Sequence, residues 1–244
     1  AMDNNLGGTI NLLESCRLAG VKKVVFASTS AIYENCHKTP FCEDSVENEP
    51  NLIYAMSKRQ CEMVCKSFCE VYGMNVVMLR FFNVYGPHQD FRRKQPPLMG
   101  YITKCLLEKE QPTFFSDGHQ KRDYVYVDDL VAMVTTCLHR DDLSGEIFNV
   151  SSGCAYSVRE IYDIFRKHFE AGHEPRFEKA VNFWDKYPRL FDGEYKISLD
   201  RIEKEVNKYS LGSYEKAESK LGWKPKVSLC EGIENIVKFA KGET

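Results

Sequence analysis

Three side chains have the types and spacing for proton transfer: the hydroxyl of Thr29, the phenol of Tyr54 and the ammonium of Lys58. Tyr54 and Lys58 are four residues apart, so on a helix they share one face, one turn apart. An ammonium beside a phenol favours the phenolate. A threonine hydroxyl nearby can orient the group that the phenolate attacks. The three together make an acid–base site that needs no metal.

The flanking residues say which elements hold that site. Val24-Val25-Phe26-Ala27 is an apolar, β-branched run ending in the small hydroxyl residues Ser28, Thr29 and Ser30. It reads as a buried strand, Lys23 to Ala27, with the hydroxyls at its C-terminal edge. In an open α/β sheet, ligands bind at that edge. Asn4 to Ala19 is predicted as a helix stopped by Gly20, and Ile53 or Tyr54 to Tyr72 as a helix stopped by Gly73. Asn75 to Phe82 is almost continuously apolar and predicts a strand buried on both faces.

Beyond it, Leu98 to Leu107 reads as helix, Thr113 to Phe115 and Arg122 to Val127 as strands, and Ile147 to Val150 as one more. Asp128 and Asp129 are placed to cap a helix running to His139, and Val158 to Phe169 is a further helix. From His173 to Leu211 the texture is polar and lacks clean periodicity. Tyr214 to Leu221 reads as a polar helix. Ser228 then caps an amphipathic helix, Leu229 to Ala240.

Whole-chain quantities exclude some classes. The 244 residues balance 33 Lys and Arg against 35 Asp and Glu, which gives no signal for nucleic acid or a membrane surface. No apolar run approaches the ~20 residues of a spanning helix. The ten cysteines form no C-x-x-C pair and no ligand spacing with the six histidines, so no metal site is assigned. The absence of a disulfide pattern points to a reducing, cytoplasmic setting. Cys61, Cys65 and Cys69 recur every four residues and suit a helix interface, against either the sheet or a second copy.

Several stretches, in order, resemble the extended short-chain dehydrogenase/reductase family in its nucleotide-sugar epimerase/dehydratase branch. They are Asn5-Leu6-Gly7-Gly8-Thr9, Ala27-Ser28-Thr29-Ser30-Ala31-Ile32-Tyr33, Tyr54-Ala55-Met56-Ser57-Lys58, Leu79-Arg80-Phe81-Phe82-Asn83-Val84-Tyr85-Gly86-Pro87, Asp117-Gly118 with Arg122 to Asp128, and Leu221-Gly222-Trp223-Lys224-Pro225. The resemblance implies an α/β fold: a Rossmann-like, doubly wound parallel sheet that binds NAD, with a smaller C-terminal substrate lobe. It implies a partial NAD-binding domain over 1–90 plus parts of 120–150, interleaved with a substrate-binding lobe over 91–119 and 151–244.

By the same resemblance Thr29, Tyr54 and Lys58 are catalytic. Asn5, Ala27, Ser28, Tyr54, Lys58 and Phe81 lie toward the cofactor. Asn83, Leu98, Thr113, Phe115, Arg122, Arg189 and Asp192 lie toward the substrate, with Arg122 on the pyrophosphate. The stretch Gly193 to Leu211 is longer than the family pattern. The helices Asn4–Ala19 and Tyr54–Tyr72 resemble the pair through which the family forms homodimers.

Dehydratases of the family carry Asp-Glu after the threonine, and decarboxylating members carry a glutamate at the second position. Here those places hold Ser30 and Ala31. The expectation is redox epimerisation without water loss, at C4 of a UDP-hexose or UDP-N-acetylhexosamine. Other epimerases or reductases of the family, and a non-catalytic sugar-nucleotide-binding protein or fragment, stay open. No Gly-x-x-Gly-x-x-Gly turn occurs in these residues, although the family carries one, with its strand, ahead of the position of Asn5. The expectation is either a longer natural protein or a chain unable to hold NAD.

Overall fold

The apolar runs Val24–Thr29, Val76–Phe81 and Ile147–Val150 form a three-stranded parallel sheet. The structure is a computed structural model and describes residues 1–169 and 173–243. A π-helical turn, Asp3–Gly7, leads into α1 (Gly8–Leu18). Then come β1 (Val24–Thr29), a 3₁₀ turn (Ser30–Asn35), α2 (Ile53–Tyr72), β2 (Val76–Phe81) and β3 (Asn83–Tyr85). They are followed by α3 (Leu98–Leu107), β4 (Thr113–Phe114), β5 (Lys121–Tyr126), α4 (Val127–Leu138), β6 (Ile147–Val150), β7 (Ala155–Ser157) and α5 (Val158–Phe169). Last are β8 (Arg176–Phe177), α6 (Ala180–Trp184), α7 (Leu199–Val206), α8 (Glu215–Leu221) and α9 (Leu229–Lys241).

The chain divides into two units. The first comprises Ala1–Val84, Val127–Cys154 and Leu211–Lys226; the second holds the remaining described residues. Of the assignment 151–244, residues 170–172 and 244 lie outside the described residues.

In the first unit the sheet order is β1-β2-β6. Leu13 of α1 and Cys65 of α2 are buried with Val76, Met78 and Ile147, and Cys16, Cys69, Val24 and Phe26 pack against them. The cysteine ladder of α2 therefore faces the sheet, where small thiols allow close helix approach. Burial pushes the Cys65 thiol up to about 12. Cys154 and Cys230 are exposed. Iodoacetamide at pH 8 is therefore expected to alkylate Cys154 and Cys230 in the native protein, and Cys61 and Cys65 only after unfolding, as read by peptide mass.

The second unit packs α3, α5 and α9 against one another, with β5 and β7 paired antiparallel and β4 and β8 paired parallel. Three details differ from the sequence reading, the first being that β1 is not a buried strand: Val24, Val25 and Phe26 are half-buried and Ala27 is exposed. β1 continues through Ser28 and Thr29, because its pairing with β2 extends to Arg80 and Phe81. α4 starts directly from β5 at Val127, and the Asp129 carboxylate accepts from the Lys226 N–H at 3.0 Å. The stretch after His173 contains β8, α6 and α7, the last with the Ser198 side chain accepting from the Arg201 N–H and with Ile202 buried. Among the described residues no helix is long and apolar enough to cross a membrane.

Candidate active site

Parallel strands place paired residues side by side with their side chains on one face. The register pairs Ser28 with Arg80 and Arg80 with Asn149. A polar rung thus crosses the apolar sheet one step before its C-terminal edge, and all three of its residues are buried. Burying these groups is tolerable only if they are hydrogen-bonded. Glu62 of α2, 0% exposed, meets them. Its carboxylate accepts from Ser28 Oγ at 2.7 Å, from Arg80 Nε at 2.9 Å and from Arg80 Nη2 at 2.8 Å.

Arg80 Nη1 donates to Tyr33 Oη at 2.8 Å and to the Glu43 carbonyl at 2.9 Å. Tyr33 Oη donates to Asn149 Oδ1 at 2.7 Å, and Asn149 Nδ2 donates to the Phe41 and Ser213 carbonyls. Burial works against the Arg80 charge, but the Glu62 carboxylate and the Tyr33 phenol hold the guanidinium above its ordinary value. Burial also pushes the Tyr33 phenol up.

The next residues along the strands form the edge. Thr29 is extended and caps the 3₁₀ turn, its Oγ1 accepting from the Ala31 N–H at 3.1 Å. That contact fixes the oxygen and leaves the hydroxyl a proton to donate. Lys58 Nζ donates to the Ala27 carbonyl at 2.9 Å and stands 5.0 Å over the Phe26 ring. Tyr54, on the first turn of α2, is half exposed, as is expected of a group that must meet a ligand. Asn5 Nδ2 donates to Ser57 Oγ at 2.8 Å, and Ser57 Oγ to the Tyr54 carbonyl at 2.7 Å, so the π-helical turn is tied to the start of α2.

Glu34 Oε2 accepts the N–H groups of Asn51 and Leu52, both at 2.9 Å, just ahead of α2. A carboxylate there also complements the helix dipole. The structure thus brings Thr29, Tyr54, Lys58, Asn5 and Ala27 onto elements joined at one sheet edge. Ser28 turns its hydroxyl inward to Glu62. Phe81 and Asn83 are half-buried at the end of β2 and the start of β3.

The second unit holds a cavity of about 680 Å³, lined in part by Leu98, Thr113, Phe115, Phe183, Lys186 and Tyr187. Its size suits a drug-sized ligand. Phe115 meets Phe183 edge-on, with centroids 5.3 Å apart. Lys186 Nζ lies 5.6 Å from the Phe183 ring centre, and Gln95 Nε2 donates to Tyr187 Oη at 3.1 Å. Tyr101 Oη accepts from the Thr113 N–H and donates to the Thr113 carbonyl, fixing β4 at the wall. Burial pushes this phenol up to about 12.

Arg122, on β5, donates from Nη2 to the Glu205 carbonyl at 2.9 Å, at the C-terminal end of α7. Arg189 and Asp192 are exposed and are not among the residues lining the cavity. Asp192 Oδ1 accepts from the Gly193 N–H at 2.9 Å. Sequence reasoning missed Glu62, Glu34 and Asn149 in the first unit and Phe183 and Tyr187 in the second.

The parallel sheet and its hydroxyl, phenol and ammonium edge define a Rossmann-like α/β fold, with the second unit as a smaller C-terminal lobe. Residues 1–151 match the NAD dependent epimerase/dehydratase family, so the chain belongs to that family, in its nucleotide-sugar epimerase branch. The chain is 36% identical over 241 residues to a putative UDP-glucose 4-epimerase of Methanocaldococcus jannaschii, covering 98% of this chain and 70% of that protein.

Among solved structures it is similar to the UDP-glucose 4-epimerase of Thermotoga maritima with UDP-glucose. That match has 31% identity and a TM-score of 0.83, covering 99% of this chain and 70% of that one. It is also similar to the UDP-glucuronic acid 4-epimerase of Bacillus cereus in complex with UDP-glucuronic acid and NAD. There the identity is 25% and the TM-score 0.78, covering 99% and 68%. The chain spans about two thirds of the length of the curated relatives it matches.

Proposed function

We propose that this chain carries the catalytic edge and the nucleotide-holding lobe of an NAD-dependent nucleotide-sugar epimerase. The reaction is inversion at C4 of a UDP-hexose or UDP-N-acetylhexosamine through a transient keto sugar. The observation that carries this reading is the edge itself. Thr29, Tyr54 and Lys58 stand on β1 and α2, and positions 30 and 31 carry no carboxylate for water loss. The relatives that act on UDP-glucose and UDP-glucuronic acid support the substrate class.

The residues present fit the ribose and nicotinamide end of NAD. Ala27 is exposed and small, leaving the strand end open, and the Lys58 ammonium bonds its carbonyl. NAD held at this edge by Tyr54 and Lys58 would supply a reversible hydride acceptor for the sugar carbon. Asn5, Ala27 and Phe81 complete that side, with Ser28 offering only its backbone because its hydroxyl is bonded to Glu62. Tyr54 removes the proton of the reacting hydroxyl and gives it back after the sugar turns over. Thr29 donates to the reacting oxygen and holds it in place in both directions. Lys58 keeps a positive charge beside the phenol.

In the second unit Leu98, Thr113 and Phe115 receive the uracil and ribose. Arg122 serves the diphosphate with the donors that Glu205 does not use. Arg189 and Asp192 are assigned to the distal phosphate and ribose, and Asn83 to the sugar and phosphate. The exposed Ile10, Leu12 and Leu18 of α1 and Met63 and Val71 of α2 suit the seam of a homodimer. The free cysteines suit the cytoplasm.

The test uses the full natural protein. Acid treatment is expected to release about one NAD per chain, and UDP-glucose or UDP-N-acetylglucosamine is expected to equilibrate with its C4 epimer. Nucleotide-sugar binding without NAD or turnover would leave a binding protein instead. Phe115→Ala is expected to raise the KM for the UDP-sugar about tenfold with kcat little changed, since loss of one base–aromatic stack costs ~1–3 kcal/mol.

A further inference from the structure

We propose that Glu62 is a positioning residue for this reaction, holding α2 in register with the exit edge of β1 through Ser28 and Arg80; the inference rests on the function proposed above. Glu62 follows Lys58 by one helical turn and Tyr54 by two. Its carboxylate is the point where three elements meet: α2 itself, β1 through Ser28, and β2 through the fork of Arg80. Ser28 immediately precedes Thr29, and alternation along the strand sends the two side chains to opposite faces. The inward bond of Ser28 therefore sets where Thr29 stands. Arg80 goes on to Tyr33, in the 3₁₀ turn that Thr29 caps. All three candidate catalytic side chains hang from elements fastened to one carboxylate.

Stability alone does not call for this arrangement. A buried ion pair is often no more stabilising than apolar side chains of the same volume. The apolar face of α2 already fixes its distance from the sheet through Cys65, Phe68 and Cys69. Apolar packing is non-directional and supplies no bond that ties α2 to one particular strand residue. A carboxylate accepting three bonds of 2.7–2.9 Å permits no such slide. Misplacement of reacting groups by about 1 Å can cost ~100-fold in rate.

The test is the paired replacement Glu62→Leu with Arg80→Met in the full natural protein, with Arg80→Lys beside it. The paired variant leaves no unpaired buried charge and is expected to fold, melting below the parent because Ser28 Oγ, Tyr33 Oη and the Glu43 carbonyl each lose a partner. Its kcat is expected to fall at least tenfold while the KM for the UDP-sugar stays within about threefold. Arg80→Lys keeps the charge but not the fork and is expected to fall between the two. Backbone amide resonances of Thr29–Ala31 and Tyr54–Lys58 are expected to move together in both variants, while those of Phe68–Tyr72 stay in place.

Unchanged kcat in a folded variant, or unchanged amide resonances at both segments, would overturn the proposal. If the paired variant does not fold, Arg80→Lys alone decides by the same readings. If the parent turns over no nucleotide sugar, the proposed function fails, and the amide resonances alone decide whether Glu62 positions the edge.

Discussion

Tyr54→Phe is expected to lower kcat by ~10²–10⁴, the range for loss of a positioned general base, with little change in the KM for the UDP-sugar. The substitution removes one oxygen from a half-exposed side chain and leaves the ring in place, so the melting temperature should stay within about a degree. Tyr33 provides the contrast. It is fully buried, and its hydroxyl joins Arg80 to Asn149. Tyr33→Phe should therefore lower the melting temperature, because it strips a partner from two buried polar groups. Turnover and thermal melting on both variants separate the two roles. A Tyr54→Phe protein with parental turnover would sink the assignment of the base.

Arg80→Ala is expected to destabilise the first unit by ~3–5 kcal/mol, the loss that follows when one partner of a buried ion pair is removed. Arg80 is 1% exposed and Glu62 is 0% exposed, so solvent offers the remaining carboxylate no screening, and the cation left beside it is Arg59, at the longer distance of 3.5 Å. Domains are stable by only ~5–15 kcal/mol, so the variant should be largely insoluble or unfold at low urea. Glu62→Ala should be as severe. The guanidinium left behind does not shed its proton at any working pH, so a buried charge would stand without its carboxylate. Urea unfolding followed by far-UV circular dichroism measures both. A midpoint for Arg80→Ala close to the parent's would show that the pair carries little of the stability.

The sequence carried much of this arrangement. The bounds of α2 follow from Ile53 and Gly73, and the bounds of α3, β6 and α5 lie where the apolar patterns end. The spacing of Tyr54 and Lys58 and the hydroxyls after Phe26 mark the edge without any tertiary information. The polar rung was out of reach because it depends on register: Ser28, Arg80 and Asn149 become neighbours only when three distant strands align. A local signal did exist. Glu62 continues the Tyr54–Lys58 face by one turn, and Arg80 is a lone charge inside an apolar run. In the second unit, α6 and α7 are too short for a helical period to stand out. The dense aromatics Phe183, Trp184 and Tyr187 were the clue to the cavity wall.

The first unit is written in three pieces of chain, and the last piece closes it. Trp223 Nε1 donates to the Asp129 carbonyl, the Ser213 carbonyl accepts from Asn149, and Lys216 Nζ donates to the Ile147 carbonyl. A ribosome delivers these residues long after α1, β1, α2 and β2. Until Lys226 has emerged, the early helices and strands lack the partners that finish their core. The second unit in turn completes itself only with α9, later still. Neither unit can complete its core while the intervening segments of the other are still being synthesised. A nascent chain of this kind exposes apolar surface until those late segments arrive, and it is prone to aggregation over that interval.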